Sequence, residues 1–149
     1  MKVLFINGSP NKEGNTAKLT SILLKNKEYE TLSLTDLTIG SYGQTLENDG
    51  LDTVIEKMKE AETIVIGSPL YWHNICGSVR NVLDRFYGKV SEKELAGRKL
   101  CFAFQGAAPE KWMLEAGEYT MKRFAALYGM NYVGMVTNKK EAKELSKLV

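Results

Sequence analysis

Residues 3–16 of the chain read VLFINGSPNKEGNT, and this stretch decides the fold prediction. Val3–Ile6 is a continuous apolar run, which is typical of a strand that is buried on both faces of a sheet. Asn7–Asn15 is rich in Gly, Asn, Ser and Pro and therefore predicts a loop. From Thr16 onward the spacing predicts an amphipathic helix. The apolar residues that produce this spacing are Leu19, Ile22 and Leu23.

The rest of the chain continues the alternation of strands and helices. Further strands are predicted at Tyr29–Leu34, Thr63–Gly67, Leu100–Phe104 and Tyr132–Val136. Further helices are predicted within Leu51–Met58, Val79–Phe86, Glu110–Tyr128 and Lys139–Leu148. This alternation indicates an α/β fold in a single domain over residues 1–149, with a five-stranded parallel sheet covered by helices on both faces.

The loop from Gly8 to Thr16 has the composition of a phosphate-binding loop. Its backbone N–H groups and the hydroxyls of Ser9 and Thr16 can converge on one anion, and the N-terminus of the following helix adds partial positive charge. It lacks the Gly-Lys-Ser/Thr ending of a nucleoside-triphosphate loop and the Gly-x-Gly-x-x-Gly dinucleotide fingerprint. A single phosphate monoester therefore suits it best. The alternative is a ligand-free turn that is rich in capping residues.

A second distinctive loop, from Gly67 to Gly77, follows the third strand and reads GSPLYWHNICG. In the strand order 2-1-3-4-5, the first and third strands are neighbours, and ligands bind above their carboxyl ends. Both loops are therefore expected to open onto one crevice. Tyr71, Trp72 and His73 could shelter a flat aromatic ring there, although aromatic residues in such a loop could instead cap the core.

The two loops together resemble those of the NADPH-dependent FMN reductases and the related iron–sulfur flavoproteins. The Gly8–Thr16 loop is similar to the first motif of that family, and Ser68–Trp72 followed by Gly77–Phe86 is similar to the second. The resemblance implies a flavodoxin-like three-layer sandwich with the sheet order 2-1-3-4-5. It also implies a set of residues that bind FMN: Ser9, Asn11, Gly14, Asn15, Thr16, Pro69, Leu70, Tyr71, Trp72, His73 and Gly106.

The activity that the resemblance implies is the transfer of electrons from NAD(P)H through bound FMN to a small acceptor, such as a flavin or a quinone. The cofactor supplies the chemistry in such enzymes, so no catalytic side chain is assigned. Relatives are often homodimers, which implies a homodimer here. The alternative is a flavodoxin-type FMN electron carrier without its own NAD(P)H turnover. Such carriers are usually strongly acidic, whereas this chain has a net charge of +2.

The sequence departs from the family pattern in four places. The Thr35–Asp49 connection contains no cysteine, so neither an iron–sulfur cluster nor another metal is expected. Cys76 stands where serine is usual, and we expect it to be a small buried thiol. The Gln105–Ala108 segment has one glycine where relatives often have two, and the chain is shorter than many relatives.

Three further interpretations are local. His73 is the only histidine of the chain, and we expect it to border the flavin. The alternative is that it transfers protons to the flavin or the substrate. Arg80 and Asp84 are spaced i, i+4 on one helix and are expected to form an ion pair. Gly129 is placed to cap the C-terminus of the long helix that precedes it.

Composition excludes several classes of function. The chain has 20 Lys and Arg against 18 Asp and Glu, which leaves no electrostatic footprint for nucleic acid or an anionic membrane. No apolar run reaches the roughly 18 residues of a membrane span. The apolar stretch at the N-terminus is also shorter than the roughly 7–15 residues that form the core of a secretory signal. Cys76 and Cys101 are too few for a disulfide framework. We therefore expect a cytoplasmic protein.

Overall fold

The computed structural model describes residues 1–149 and contains six strands and five helices. The strands are β1 (Val3–Asn7), β2 (Glu30–Ser33), β3 (Thr63–Tyr71), β4 (Asn74–Ile75), β5 (Lys99–Gln105) and β6 (Asn131–Val136). The helices are α1 (Asn15–Leu23), α2 (Leu51–Glu60), α3 (Gly77–Phe86), α4 (Lys111–Leu127) and α5 (Lys139–Leu145), and a short 3-10 turn covers Leu34–Asp36. None of these helices has the length and apolar character that crossing a membrane requires.

The five longer strands form a parallel sheet in the order β2-β1-β3-β5-β6. Without β4 this is the order 2-1-3-4-5, so the predicted topology and the flavodoxin-like α/β class are confirmed. Leu4 and Ile6 of β1 join an apolar core with α2, α3 and α4, whereas Val3 and Phe5 join a second core with α1 and α5. Successive side chains of a strand point to opposite faces, so the sheet is covered on both sides, as predicted.

The prediction of one continuous loop from Ser68 to Gly77 is wrong. Strand β3 continues to Tyr71, and the chain then turns back into β4, which pairs with the end of β3 in the antiparallel direction. The two turn residues, Trp72 and His73, have positive φ angles of 49° and 66°. A two-residue type I′ turn requires positive φ at both positions, so the aromatic segment is the tip of a hairpin.

The hairpin was not predicted because its sequence has features that are typical of a loop. Pro69 argues against a strand interior, since proline has no N–H to donate. In the structure Pro69 lies opposite Gln105, at the last pair of the β3–β5 ladder, where the missing donor interrupts nothing further along. The turn itself carries Trp and His instead of the usual Asn-Gly or Gly-Gly, so it gives no turn signal.

The long connection from Thr35 to Asp49 is held against α3 by an ion pair with little solvent exposure. Nη1 of Arg85 lies 2.6 Å from Oδ2 of Asp49 and also donates a 2.9 Å hydrogen bond to the carbonyl oxygen of Gly40. Oδ1 of Asp49 accepts a 3.0 Å hydrogen bond from the N–H of Leu51, at the beginning of α2. The hydrogen bond from Arg85 holds the pKa of Asp49 below its ordinary value, although burial acts in the opposite direction.

Two local predictions are confirmed on α3 and α4. Nε of Arg80 lies 3.1 Å from Oδ1 of Asp84, so the i, i+4 ion pair is present. Gly129 has a φ of 79° just beyond the end of α4. This left-handed conformation is the one that favours glycine after the last helical turn.

Candidate functional site

The two distinctive segments leave neighbouring strands and meet at one edge of the sheet. Asn7, the last residue of β1, lies in register with Gly67 of β3. The N–H of Gly8 donates a 2.9 Å hydrogen bond to the carbonyl oxygen of Gly67, which joins the beginning of the first loop to the neighbouring strand. The crevice above these strand ends is where sheets of this order bind ligands.

The first loop is shaped by hydrogen bonds from its own backbone to its side chains. The N–H of Ser9 donates to Oδ1 of Asn7 over 3.0 Å. The N–H of Asn11 donates to Oγ of Ser9 over 3.1 Å, and the N–H of Glu13 donates to Oδ1 of Asn11 over 3.2 Å. Asn11 therefore builds the loop, whereas Ser9 keeps its hydroxyl proton free to donate. Nδ2 of Asn7 is buried at the same place without a partner.

Helix α1 begins with free backbone donors. Gly14 is its N-cap and supplies no side-chain hydrogen bond. The first backbone hydrogen bond runs from the N–H of Lys18 to the carbonyl oxygen of Gly14, so the N–H groups of Asn15, Thr16 and Ala17 have no acceptor within the chain. Free N–H groups at the positive end of a helix bind anions. The beginning of α1 therefore fits a phosphate group.

The loop provides no free lysine to this anion site. Lys12 is its only basic residue, and Nζ of Lys12 lies 2.7 Å from Oδ2 of Asp36, in the 3-10 turn after β2. The donors that the first loop itself offers are therefore amides and hydroxyls. This agrees with the prediction of a cradle without the lysine that nucleoside triphosphates need.

Thr16 connects the first loop to the end of β5. Its side chain is buried, and its Oγ1 accepts a 3.1 Å hydrogen bond from Nε2 of Gln105. The hydroxyl proton of Thr16 thus remains available to a ligand at the beginning of α1. Gln105 was missing from the predicted site, because 89 positions separate it from Thr16 and no local pattern links them.

The beginning of α3 is joined to the first loop by two side chains, those of Ser78 and Cys76. Oγ of Ser78 donates a 2.8 Å hydrogen bond to the carbonyl oxygen of Gly8, and Sγ of Cys76 lies 3.6 Å from the same oxygen. The N–H of Cys76 donates in turn to Oγ of Ser68 over 2.9 Å. Cys76 is buried, as predicted. Ser68 and Ser78 were not predicted as site residues, although each stands at one end of the second segment.

Gly8 is packed too tightly to carry a side chain. A Cβ at this position would lie 3.0 Å from the carbonyl oxygen of Gly67 and closer still to Cγ2 of Val79 in α3. The first loop therefore approaches both β3 and α3 as closely as backbone atoms allow. The two segments act as one unit at this edge of the sheet.

An open cleft of about 350 Å³ lies beside the hairpin. Four residues of the predicted site line it, namely Leu70, Trp72, His73 and Gly106. The opposite wall consists of residues from the β5–α4 loop and α4: Ala107, Ala108, Pro109, Glu110 and Met113. Polar and apolar groups line this cleft in about equal shares, so it can accept the apolar face of a flat ring together with its polar edge.

Two predicted ring contacts lie outside this cleft. Pro69 is buried within β3, and the side chain of Tyr71 is 48% exposed on the strand that leads to the turn. Trp72 borders the cleft at the hairpin tip but is 93% exposed, so it packs on no other part of the chain. The ring of His73 lies 5.8 Å from the ring of Trp112 in α4, which joins the hairpin to that helix.

Sequence comparison links the chain to flavin-handling proteins. The profile of the family described as NADPH-dependent FMN reductase matches residues 1–141. An iron–sulfur flavoprotein of Archaeoglobus fulgidus is 39% identical over 98 residues, which cover 57% of this chain and 48% of that protein. The chain spans about half the length of the curated relatives that it matches.

Solved structures share the fold over almost the whole chain. The Trp repressor binding protein from Bacillus subtilis has a TM-score of 0.79 and 18% identity, and the match covers 96% of this chain and 99% of that one. The FMN-dependent NADH-azoreductase from Bacillus anthracis, solved in complex with FMN, has a TM-score of 0.66 and 19% identity, covering 99% of this chain and 95% of that one. At these identities the similarity concerns the fold.

Proposed function

Because the chain belongs to the NADPH-dependent FMN reductase family, we propose that it is an oxidoreductase that uses FMN to pass electrons from NAD(P)H to a small acceptor, such as a flavin or a quinone. We also propose that residues 1–149 act as one FMN-binding unit. The redox chemistry would be that of bound FMN, which mediates between a nicotinamide donor and the acceptor. The task of the chain is to bind and orient both molecules.

The observation that carries this proposal is the set of free N–H groups at the beginning of α1. Asn15 and Thr16 would bind the FMN phosphate through these groups, and Ser9 and Thr16 would add hydroxyl donors. Asn11 and Gly14 would support the cradle by fixing the loop and the helix start. Hydrogen bonds to a charged phosphate are stronger than those between neutral groups.

The cleft beside the hairpin would hold the isoalloxazine ring. Leu70 and Gly106 form its inner walls, and a Cβ at Gly106 would lie 3.0 Å from Cβ of Leu70. Trp72 and His73 would close the outer side, where the Trp72 ring is free to turn onto a ligand. Pro69 and Tyr71 would act indirectly, by setting the course of β3 into the turn.

A cytoplasmic homodimer is part of the same proposal. Family resemblance supports it, and the near balance of charges supports a small-molecule acceptor rather than nucleic acid or a membrane.

Comparison of FMN with riboflavin tests the phosphate cradle. Since each hydrogen bond to a charged group contributes about 1.5–3 kcal/mol, the wild-type protein should bind FMN at least roughly tenfold more tightly than riboflavin in a fluorescence titration. Ser9→Ala should narrow this ratio, whereas Ser21→Ala, on the exposed part of α1, should leave it unchanged. Equal affinity for the two flavins would contradict the cradle.

Reduction of the bound FMN under anaerobic conditions distinguishes the proposed oxidoreductase from a flavodoxin-type electron carrier. The FMN-loaded protein should be reduced directly by NADH or NADPH, faster than free FMN at the same concentration. Reduction only after addition of a separate reductase would replace the proposed enzyme with a flavodoxin-type electron carrier.

A further inference from the structure

The side chain of Thr16 is fixed on both of its branches by two neighbouring strands. It is buried in the first turn of α1. Its methyl group lies over Gly67 of β3, where an added Cβ would be only 2.7 Å from Cγ2 of Thr16. Its Oγ1 accepts the 3.1 Å hydrogen bond from Nε2 of Gln105, the last residue of β5. Strand β3 therefore holds the methyl group and strand β5 holds the hydroxyl group.

This double contact determines what the hydroxyl group of Thr16 can do. Threonine in a helix usually divides between two rotamers, because its hydroxyl can donate to a carbonyl of the preceding turn. The one hydrogen bond that Oγ1 of Thr16 makes is accepted from Gln105, so its proton is not donated within the chain. The contacts at Gly67 and Gln105 thus select one rotamer and leave a donor at the beginning of α1.

The orientation of the Gln105 amide matches an anionic ligand. A glutamine side chain has a donor end and an acceptor end, whereas a hydroxyl group can serve in either role. If the acceptor end met Thr16, the hydroxyl proton would be used within the chain. The donor end meets Thr16 instead, so the proton is left for an acceptor such as a phosphate oxygen.

The surroundings of Gln105 also favour an anion. Gln105 borders an open cleft of about 300 Å³ that Lys18 and Lys139 line and in which no acidic side chain takes part. The carboxylate of Glu141, at the beginning of α5, is bound by the N–H and the hydroxyl of Thr137. The charges that this cleft presents are therefore positive, which raises the local concentration of anions.

We propose that Gln105 is a positioning residue of the phosphate cradle, which holds the Thr16 hydroxyl as a donor to the phosphate and thereby increases the preference for phosphorylated flavins. This proposal rests on the FMN binding proposed above and adds a residue that acts through another. Gln105 also pairs with Pro69 in the β3–β5 ladder and precedes Gly106, which lines the ring cleft. The same residue therefore connects the two parts of the flavin site.

Substitution of Gln105 in the full chain tests this role in fluorescence titrations with FMN and with riboflavin. Gln105→Met keeps the length of the side chain but removes the donor, so FMN affinity should fall roughly fivefold while riboflavin affinity stays within about twofold. Gln105→Glu would accept the Thr16 proton and repel the phosphate, so FMN affinity should fall roughly tenfold or more. Gln44→Met is the matched control, because Gln44 is exposed and bonds only to Ser41.

A double-mutant cycle tests whether Gln105 acts through Thr16. Thr16→Val keeps the shape but removes the hydroxyl, so adding Gln105→Met should leave the ratio of FMN to riboflavin affinity unchanged. Thr16→Ser keeps the hydroxyl, and there Gln105→Met should still lower the ratio. The phosphorus resonance of bound FMN should also move in Gln105→Met but not in Gln44→Met.

The outcomes separate this proposal from FMN binding itself. Equal affinity of the wild-type protein for the two flavins would overturn the cradle and, with it, the role of Gln105. A wild-type preference for FMN that Gln105→Met retains would overturn only the role of Gln105. An equal loss of both flavins, or the same loss of the ratio in Thr16→Val as in wild type, would also overturn it. None of these measurements depends on flavin turnover.

Discussion

Replacement of Gly8 by alanine tests whether close packing at the first loop positions the phosphate cradle. The new Cβ would lie 3.0 Å from the carbonyl oxygen of Gly67 and closer still to Cγ2 of Val79. Both neighbours are held in place, since Gly67 belongs to the central strand β3 and Val79 is buried in α3. The loop itself must therefore move to accommodate the methyl group.

The size of this effect follows from ordinary contact distances. Carbon atoms in proteins pack at about 3.5–4.0 Å, so the loop would shift by roughly half an ångström or more. Inserting a methyl group into a packed region usually costs about 1–3 kcal/mol, and we expect the free energy of unfolding to fall by this amount. The shift also displaces the Gly8 carbonyl from Ser78. If one hydrogen bond of the cradle is weakened by about 1 kcal/mol, FMN affinity falls roughly fivefold.

Urea unfolding followed by circular dichroism measures the stability of this variant, and quenching of flavin fluorescence measures its FMN affinity. Gly77→Ala is the matched control, because a Cβ at Gly77 meets no atom within 4 Å and alanine favours the beginning of α3. Adding Val79→Ala to Gly8→Ala should recover part of the affinity. Wild-type stability and affinity in Gly8→Ala would refute the reasoning.

Three further predictions concern separate parts of the chain. The pKa of Asp49 is lowered in the folded state, so the ionised carboxylate stabilises the fold above the ordinary pKa of 3.8, and this stabilisation is lost as the pH falls through the lower folded value. In acid titrations of Asp49→Asn, the free energy of unfolding should therefore decrease less steeply below pH 3.8 than it does in wild type. Burial raises the pKa of Cys101 to about 12, and Cys76 is also buried; a thiol-reactive dye should therefore label neither cysteine in the native protein and both in denaturant, and rapid native labelling would contradict this. Trp72→Ala should change the unfolding free energy by less than about 0.5 kcal/mol, because the side chain is 93% exposed, but should weaken FMN binding; an unchanged FMN affinity would remove Trp72 from the site.

The features that the sequence predicts well are those with a local pattern. The apolar run Val3–Ile6, the helical spacing after Thr16 and the glycine at position 129 each specify one conformation from a few neighbouring residues. The ion pair between Arg80 and Asp84 is of the same kind, because four residues on a helix correspond to one turn. These predictions needed no knowledge of the rest of the chain.

The features that the sequence did not predict depend on contacts between distant segments. Arg85 follows Asp84 directly, yet it pairs with Asp49, which lies 36 positions earlier in the chain. The residues next to Arg85 do not indicate this partner. Ser78 reaches Gly8 across 70 positions in the same way. The hairpin at Trp72 adds a different case, because the antiparallel pairing of β3 with β4 leaves only Trp72 and His73 for the turn, and both adopt positive φ angles there.

The bonds between the first loop and α3 have a consequence for recombining this chain with its relatives. Ser78 and Cys76 both contact the carbonyl oxygen of Gly8, and Val79 leaves no room for a side chain there. A chimaera that takes only the first loop from a relative would place the backbone of that loop against Ser78, Cys76 and Val79 of this chain, to which it is not fitted. The Gly8–Thr16 and Ser68–Val79 segments therefore have to be exchanged together, and crossover points between them should yield poorly folded hybrids.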